Sequence, residues 1–240
     1  MTGRRNSGGA RGSPGQSRHT PPNGDAEPWA WRPSSTMADR KTIPPAFFLR
    51  DTEVVARDLL GRLVRSSVGG QAVEGLIVEA EAYVGPHDPA SHAAERIGRT
   101  PRNESMFGAA GSAYVYRSYG VHWCLNVVTG EEGYPAAVLL RGLEVVRGAE
   151  TALARREGRE PLGAGPGRLC QALGVTGSLD GHLLSRPPLE LRGGREVPDA
   201  AVAVSGRVGI SRAADWPLRF YLRGHSQVSR GPKEITRGAL

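Results

Sequence analysis

Residues 76–84 read Leu-Ile-Val-Glu-Ala-Glu-Ala-Tyr-Val, a stretch in which two kinds of side chain alternate. Successive side chains of a β-strand point to opposite faces of its sheet, so this pattern predicts a strand. Its two faces would carry Leu76, Val78, Ala80 and Ala82 on one side and Ile77, Glu79, Glu81 and Tyr83 on the other. The first face suits a protein core, whereas the second must face either solvent or a cleft.

Short strand-like segments dominate the chain after this stretch. We predict further strands at residues 113–119, 123–129, 136–143, 202–210 and 218–223. Helices are predicted after Asp51, a residue type that caps helix N-termini, and at residues 148–157 and 169–173. Because the strands follow one another with short connections, the pattern favours an α+β fold: a single domain with a curved, mainly antiparallel β-sheet and peripheral helices.

The first 40 residues differ in composition from the rest. They hold six glycines, five prolines and little that a core could bury. Their six arginines outnumber three acidic residues, which leaves a local charge of +3. We therefore predict a disordered basic N-terminal tail at residues 1–40 and one folded domain at residues 41–240. Met37, just before the globular part, is a candidate for the true start of translation.

The overall charge limits the classes of partner. The chain of 240 residues has a formal net charge of +7, and its pI is near 10.0. This balance suits a polyanion such as nucleic acid. No apolar run is long enough to cross a bilayer, and the N-terminus lacks the apolar stretch of a secretory signal, so we expect a cytosolic protein with no membrane partner. Cys124 and Cys170 are too few for a disulfide framework or a structural zinc site.

The polar face of the predicted strand offers two carboxylates and a phenol. A turn signal at residues 85–88 allows the chain to fold back and bring His92 near Glu81 and Tyr83. On this segment alone, an ordinary polar strand face is the commoner explanation, and Glu79 could simply pair with an arginine. A metal-dependent hydrolase also stays open, because oxygen and imidazole ligands are offered by Glu79, Glu81, His87, Asp88 and His92.

Residues 113–141 contain apolar and polar residues in unexpected places. Tyr119, Gly120 and Val121 fall at a predicted hairpin tip, where a large ring is hard to bury. Proteins that bend DNA insert apolar wedges of this kind between base steps. Asn126 and Arg141 each lie inside an apolar run, where a polar side chain needs a partner or a function.

An ordered set of motifs runs through residues 43–230. It comprises residues 77–85 (IVEAEAYVG), 100–103 (TPRN), Met106 with Phe107, 114–116 with Tyr119 and Gly120, Asn126, 138–141 (VLLR), 165–173 (GPGRLCQAL), 207–209 (RVG) and 217–224 (PLRFYLRG). With these motifs the chain resembles the alkyladenine (3-methyladenine) DNA glycosylase family. Each motif is weak by itself, but the order of the whole set is specific.

The resemblance implies catalytic roles for two residues. Glu81 matches the general base that activates the attacking water, and Arg141 matches a residue that helps to hold this water. We expect Arg141 to counteract the desolvation of Glu81 and keep it ionised. A rival glycosylase mechanism uses an amine nucleophile. The only lysines, Lys41 and Lys233, lie outside the motifs, so the water mechanism is favoured.

The resemblance implies binding roles for other residues. Tyr83, His92 and Tyr116 match the walls of the pocket for a flipped base, and Asn126 matches a side chain that crowds unwanted purine substituents. An electron-rich pocket would favour a cationic, alkylated base through stacking and cation–π attraction.

The hairpin tip matches the DNA-intercalating part of the family. Tyr119 would fill the gap left by the flipped nucleotide, with Val121 beside it. Some members carry a larger residue than Val121, and the stretch from Asn126 to Arg141 is slightly longer here, which bears on loop shape and substrate range.

The resemblance also implies a partner and a location. The partner would be double-stranded DNA with an alkylated or deaminated purine such as 3-methyladenine, 7-methylguanine or hypoxanthine. The protein would act as a monomer without metal or cofactor, in a bacterial-type cytoplasm at the nucleoid. A non-catalytic DNA-binding module is a further alternative, in which Glu81 would be dispensable.

Overall fold

The strand predicted at residues 76–84 is the central strand of the sheet in the computed structural model, which describes residues 41–235. This strand, β2, spans Val73–Tyr83. One of its edges pairs with the long strand β5, Ala136–Arg147. Its other edge is shared by two short strands, one along each half of its length. The predicted tail at residues 1–40 and the candidate start at Met37 lie outside the described residues.

Within residues 41–235, nine strands form one sheet in which every pairing is antiparallel. In chain order they are β1 (Leu63–Ser66), β2 (Val73–Tyr83), β3 (Ala113–Ser118), β4 (His122–Thr129), β5 (Ala136–Arg147), β6 (Ser185–Arg186), β7 (Leu189–Arg192), β8 (Val202–Ser205) and β9 (Arg219–Leu222). The spatial order is β3-β4-β5-β2-β1-β7-β6, and β9 pairs with both β2 and β8.

Four short α-helices accompany the sheet in the described part of the chain. They are α1 (Pro45–Phe48), α2 (Thr52–Leu59), α3 (Ala149–Arg155) and α4 (Pro166–Leu173). Helix α2 begins after Asp51 as predicted, although the Asp51 side chain makes no capping hydrogen bond. Helix α4 begins before the predicted residue 169, because Pro166 fits the first turn, where its missing N–H has no intrahelical partner to lose.

The fold class predicted from the sequence is confirmed. The described residues form one compact unit with a curled antiparallel sheet and few helices, which is an α+β architecture. No helix of residues 41–235 has the length and apolar character needed to cross a membrane.

The polar face of β2 is covered rather than open to solvent. Every residue from Val73 to Ala82 is buried, and Glu79 and Glu81 are both 0% exposed. Two later segments cover this face: the backbone N–H of Val208 bonds Glu81, and that of Ser229 bonds Glu79. Buried carboxylates need partners, so this face is a site of buried polar contacts.

Two predicted strand ends are wrong, each for a local reason. The strand predicted at residues 202–210 stops at Ser205. A Cβ at Gly206 would lie 2.1 Å from the carbonyl oxygen of Ala214, and the chain then turns inward so that Arg207 and Val208 bond other groups. By contrast, β5 continues past the predicted residue 143 and ends before Gly148, whose φ of 76° suits glycine.

The predicted hairpin tip is confirmed. Ser118 of β3 pairs with His122 of β4, so residues 119–121 form the turn. Tyr119 is 91% exposed and has a φ of 50°, a left-handed conformation that is costly for a bulky residue. Such strain at an exposed aromatic ring favours a functional explanation for its retention.

Candidate active site

A cavity of about 530 Å³ opens beside the β3–β4 hairpin and β5. The predicted site residues that line it are Tyr83, His92, Tyr116, Tyr119, Asn126 and Arg141. Val121 does not line the cavity and lies 62% exposed at the hairpin tip. Glu81 lies behind the lining, in contact with residues that form it.

Glu81 is held by groups from three different parts of the chain. Its carboxylate accepts hydrogen bonds from the backbone N–H of Val208 at 2.7 Å and from the Tyr83 hydroxyl at 3.1 Å. Arg141 approaches both carboxylate oxygens at 3.4 Å. Charge-assisted contacts are usually about 2.7–2.9 Å, so the Arg141 contact is the loose one.

Burial raises the pKa of Glu81 above its ordinary value of 4.5. The positive charge of Arg141 and the hydrogen bonds from Val208 and Tyr83 act against this rise, whereas the negative charge of Glu79 adds to it. Arg141 therefore offsets only part of the desolvation that it was expected to counteract. A carboxyl group with a raised pKa is a better proton acceptor, which suits a general base.

Glu79 lies beside Glu81 and is paired twice with arginine. Its Oε1 accepts from Nε of Arg219 at 2.7 Å and from Nε of Arg141 at 3.1 Å. Ser229 adds its backbone N–H at 2.7 Å and its hydroxyl at 2.8 Å. Arg141 thus contacts both Glu79 and Glu81, which confirms that these two residues of β2 share one face.

The aromatic wall of the cavity has a defined hydrogen-bond pattern. A hydrogen bond of 2.8 Å joins Nδ1 of His92 to the Tyr114 hydroxyl, and the His92 ring meets the Tyr116 ring edge-on at 4.4 Å. Burial, helped by the positive charge of Arg102, lowers the pKa of His92. Burial raises the pKa of Tyr116. Near neutral pH the wall is therefore an uncharged set of rings.

The loop that carries His92 is fastened by Asn103, from the TPRN motif. The Asn103 side chain donates to the carbonyl oxygens of His92 at 2.9 Å and Gly98 at 2.8 Å, and it accepts from the N–H of Thr100 at 2.7 Å. On β4, Asn126 donates to the carbonyl oxygen of Tyr114 at 2.9 Å, which fixes its amide at the cavity wall.

Arg207 packs against the ring of Tyr83. Its guanidinium lies 4.6 Å from the Tyr83 ring centroid and forms a buried ion pair with Asp88 at 2.5 and 2.9 Å. Asp88 is therefore engaged by a cation. The ring of His87 lies 6.4 Å from that of Trp216.

The metal cluster considered from the sequence does not form. Among the described residues, no group of three or more His, Cys, Asp or Glu side chains is arranged to hold a metal ion. Glu79 and Asp88 bond to arginines instead. The observed cluster is one of carboxylates and guanidinium groups.

The sequence reasoning missed Val208, Arg219 and Ser229. Arg219 begins β9 and has apolar neighbours in Leu218 and Phe220, so the rule that singled out Asn126 and Arg141 could have found it too. Val208 and Ser229 act here through backbone N–H groups, which no side-chain pattern reports.

Comparisons with known proteins identify the family of the chain. The sequence profile of the family described as methylpurine-DNA glycosylase (MPG) matches residues 46–226. Relatives named "Putative 3-methyladenine DNA glycosylase" include one from Methanoculleus marisnigri. It is 50% identical over 79% of this chain and 99% of its own length. Others come from Myxococcus xanthus, 47% identical over 79% and 94%, and Agrobacterium fabrum, 48% identical over 78% and 92%. This chain therefore belongs to the methylpurine-DNA glycosylase family.

Proposed function

We propose that this protein flips a damaged purine out of duplex DNA and hydrolyses its N-glycosidic bond with an activated water. The proposed substrates are alkylated or deaminated purines such as 3-methyladenine, 7-methylguanine and hypoxanthine. Support comes from the family and from one observation above all: a fully buried carboxylate, Glu81, held behind an aromatic cavity by Arg141, Tyr83 and Val208. We further propose that the protein acts as a monomer without cofactor in the cytoplasm, where it meets DNA.

Access to the base requires its extrusion from the helix. A base inside a duplex cannot reach a pocket, and flipping costs a few kcal/mol of stacking and pairing. Tyr119, at the rim of the cavity and 91% exposed, is placed to enter the vacated space. We propose that its ring stacks on the neighbouring bases and so offsets part of the cost of flipping.

The flipped purine would be held by the uncharged aromatic rings. Alkylation at a ring nitrogen gives the purine a positive charge, and each cation–π contact with a tyrosine contributes roughly 0.5–2 kcal/mol. Tyr83 already has the Arg207 cation against its ring, paired with Asp88. The Tyr116 ring has a cation only at a longer distance, Arg102 at 6.0 Å from its centroid. We therefore propose that Tyr116 and His92 offer the cationic base its ring contacts.

Hydrolysis would take place beside Glu81. We propose that water binds beside the loose Arg141–Glu81 contact of 3.4 Å, where its oxygen can accept from the guanidinium while it donates to the carboxylate. The bond from C1′ of the sugar to the purine nitrogen breaks, and its electron pair leaves with the base. The water oxygen bonds C1′ and gives its proton to Glu81.

An amine nucleophile has no support at this site. Lys41 and Lys233 do not line the cavity. We therefore expect no Schiff base and no strand cleavage by the protein. Borohydride treatment during the reaction checks this, and a trapped covalent adduct that disappears when one amine is mutated would overturn the water mechanism.

The experiment that tests the function uses a set of duplexes that each hold one lesion. Each duplex is incubated with the protein in excess chelator and then treated with alkali, which cleaves at abasic sites. We expect cleavage at the lesion only after alkali, and no loss of activity from chelation. Binding without any excision would instead support a non-catalytic DNA-binding module, and activity abolished by chelator would support a metal-dependent hydrolase.

A further inference from the structure

The chain segment that follows β9 returns to the active site at Ser229. Ser229 donates its backbone N–H and its hydroxyl to the two oxygens of Glu79, at 2.7 and 2.8 Å. The same hydroxyl oxygen accepts from Nη2 of Arg141 at 3.2 Å. Its carbonyl oxygen accepts from Nη2 of Arg219 at 2.8 Å. One residue thus touches three members of the buried charged cluster.

The buried charges balance, but they are shared unequally. Glu79 and Glu81 provide two negative charges, and Arg141 and Arg219 provide two positive charges. Arg219 lies 2.7 Å from Glu79, whereas Arg141 lies 3.1 Å from Glu79 and 3.4 Å from Glu81. With Arg219 and Ser229 satisfying Glu79, Arg141 keeps charge available for Glu81.

The segment around Ser229 is tightly seated. A Cβ at Gly142 of β5 would lie 2.9 Å from the carbonyl oxygen of Gln227 and 2.8 Å from Cβ of Glu79, so only glycine permits this approach. The Gln227 side chain accepts from the N–H of Gly163 at 3.0 Å. Gln227, two residues before Ser229, is therefore held by contacts with Gly142 of β5 and with Gly163.

We infer that Ser229 is a positioning residue for base excision, whose hydroxyl, acting with Glu79 and Arg219, keeps the Arg141 guanidinium within reach of Glu81. This inference rests on the proposed role of Glu81. Without the hydroxyl, Glu79 loses a donor and Arg141 loses an acceptor. Arg141 would then move toward Glu79, because a buried carboxylate with fewer donors attracts the remaining cation more strongly.

The consequence for Glu81 follows from the groups that face it. Glu79 and Tyr83 face it from β2, Arg141 from β5 and Cys124 from β4. Within the described part of the chain, Arg141 is the cation recorded in an ion pair with Glu81. Arg207 lies farther off, against the Tyr83 ring. A shift of Arg141 away from Glu81 therefore raises the pKa of Glu81 further.

The test compares three single-residue variants of the full-length protein. Ser229→Ala removes the hydroxyl, and Ser229→Thr retains it. Ser66→Ala is the matched control, because Ser66 of β1 is a fully buried serine whose hydroxyl donates to the carbonyl oxygen of Leu173 at 2.6 Å, outside the charged cluster. Two readouts are used: the pH profile of single-turnover excision, and the ¹³C NMR titration of the Glu81 carboxyl group, assigned with Glu81→Gln.

We expect Ser229→Ala to slow excision roughly tenfold, which is the effect of losing one hydrogen bond to a charged group. The affinity for DNA should be retained. We also expect the Glu81 titration and the acid limb of the pH profile to move to higher pH. Ser229→Thr should recover most of the rate, and Ser66→Ala should leave the Glu81 titration in place. If Ser229→Ala does not fold, Ser229→Cys can be used instead, because a thiol forms weaker hydrogen bonds with the same partners. The Glu81 titration should again move to higher pH.

Two results would overturn the inference. One is an unchanged Glu81 titration in Ser229→Ala or Ser229→Cys. The other is an equal shift in Ser66→Ala, which would show a general loss of packing. The NMR titration needs no excision, so an inactive wild-type protein would count against the proposed function while the coupling of Ser229 to Glu81 is still decided.

Discussion

The centre of the sheet and the tip of the β3–β4 hairpin break the usual distribution of residues in opposite ways. At the centre, Glu79 and Glu81 are completely buried on β2. At the tip, Tyr119 is 91% exposed in a left-handed conformation. Proteins normally bury rings and expose carboxylates. Each region therefore keeps an arrangement that costs stability, and both adjoin the same cavity.

The two regions differ in which groups offset the free-energy cost of their arrangement. The buried carboxylates are surrounded by guanidinium groups, hydroxyls and N–H groups that the fold supplies. The exposed Tyr119 ring is not enclosed in this way by the residues that the structure describes, and we propose that it packs against DNA. We therefore assign chemistry to the buried region and access to the exposed one, which makes the two separable by mutation.

The largest effect should come from Glu81→Gln. This change keeps the shape of the side chain but removes its ability to accept a proton, so excision should fall by about 100-fold or more. Binding of damaged DNA should persist, because Tyr119 and the cavity wall are unaltered. Single-turnover excision and a binding titration measure the two quantities separately.

The matched control for this prediction is Glu190→Gln. Glu190 on β7 is also a buried carboxylate paired with an arginine, Arg192 at 2.9 Å, but it does not line the cavity. Its loss should lower thermal stability and leave excision by the folded protein near the wild-type rate. Equal losses of excision in both variants would mean that buried charge merely supports the fold.

The next largest effect is expected for Tyr119→Asn. Loss of a base–aromatic stack should shift flipping by about 1–3 kcal/mol, or roughly 5- to 150-fold in excision from matched duplex. Asparagine tolerates a φ of 50°, so thermal stability should stay the same or rise slightly. Excision of a lesion in a bulge or mismatch should suffer less, since less stacking has to be opened.

Tyr134, 41% exposed and outside the hairpin tip, provides a contrast. Tyr134 donates to the carbonyl oxygen of Val84 at 3.1 Å and packs against Gly85. Tyr134→Asn should cost stability without distinguishing matched from mismatched DNA. If Tyr119→Asn behaves in the same way, then Tyr119 is a structural residue and not a wedge.

The pH dependence of excision should follow the ionisation of the Glu81 carboxyl group. Its raised pKa means that the ionised, active form is lost at a higher pH than for an ordinary carboxyl group of pKa 4.5. Excision of a neutral lesion should therefore fall about tenfold per pH unit on the acid side of this raised pKa. A single-turnover profile whose acid limb lies at or below 4.5 would contradict the burial of the active base.

The same shift has a consequence for stability. A group whose pKa is raised by folding contributes stability at pH values below its unfolded pKa, and this contribution is lost as the pH rises through the folded value. Ionised Glu81 therefore lowers the stability of the fold at the pH where it is active. The ionised state of Glu81 that catalysis requires is thus the state that lowers the free energy of unfolding.

The smallest effect is expected for Val121→Ala. Val121 is 62% exposed and does not line the cavity, so it can add only minor apolar contact beside the wedge. Excision from matched duplex should change by less than about threefold, which corresponds to less than one fully buried methyl group. A loss of excision equal to that of Tyr119→Asn would mean that the whole hairpin tip, and not the Tyr119 ring alone, acts as the wedge.

The sequence predicted the local features of both regions. Alternation located β2 and put Glu79 and Glu81 on one face, and the hairpin signal located Tyr119 at a turn. The resemblance then supplied roles for these residues, which stay predictions until tested. These successes share a cause, since strand period and turn residues are properties of short segments.

The partners of the buried carboxylates could not be predicted. The N–H groups of Val208 and Ser229 lie 127 and 150 positions away from the glutamates that they bond. Both stand in irregular segments without a repeating pattern, and the predicted strand at residues 202–210 hid the turn that brings Val208 inward. Such contacts depend on the whole fold.

The most direct test follows flipping and excision in the same reaction. A 2-aminopurine beside the lesion reports flipping by its fluorescence, and quenched samples report excision under single-turnover conditions. We expect Glu81→Gln to flip the lesion as the wild type does and to leave its glycosidic bond intact, and Tyr119→Asn to lose flipping and excision by the same factor. Excision by Glu81→Gln at the wild-type rate would contradict the assignment of the chemistry to the buried carboxylate.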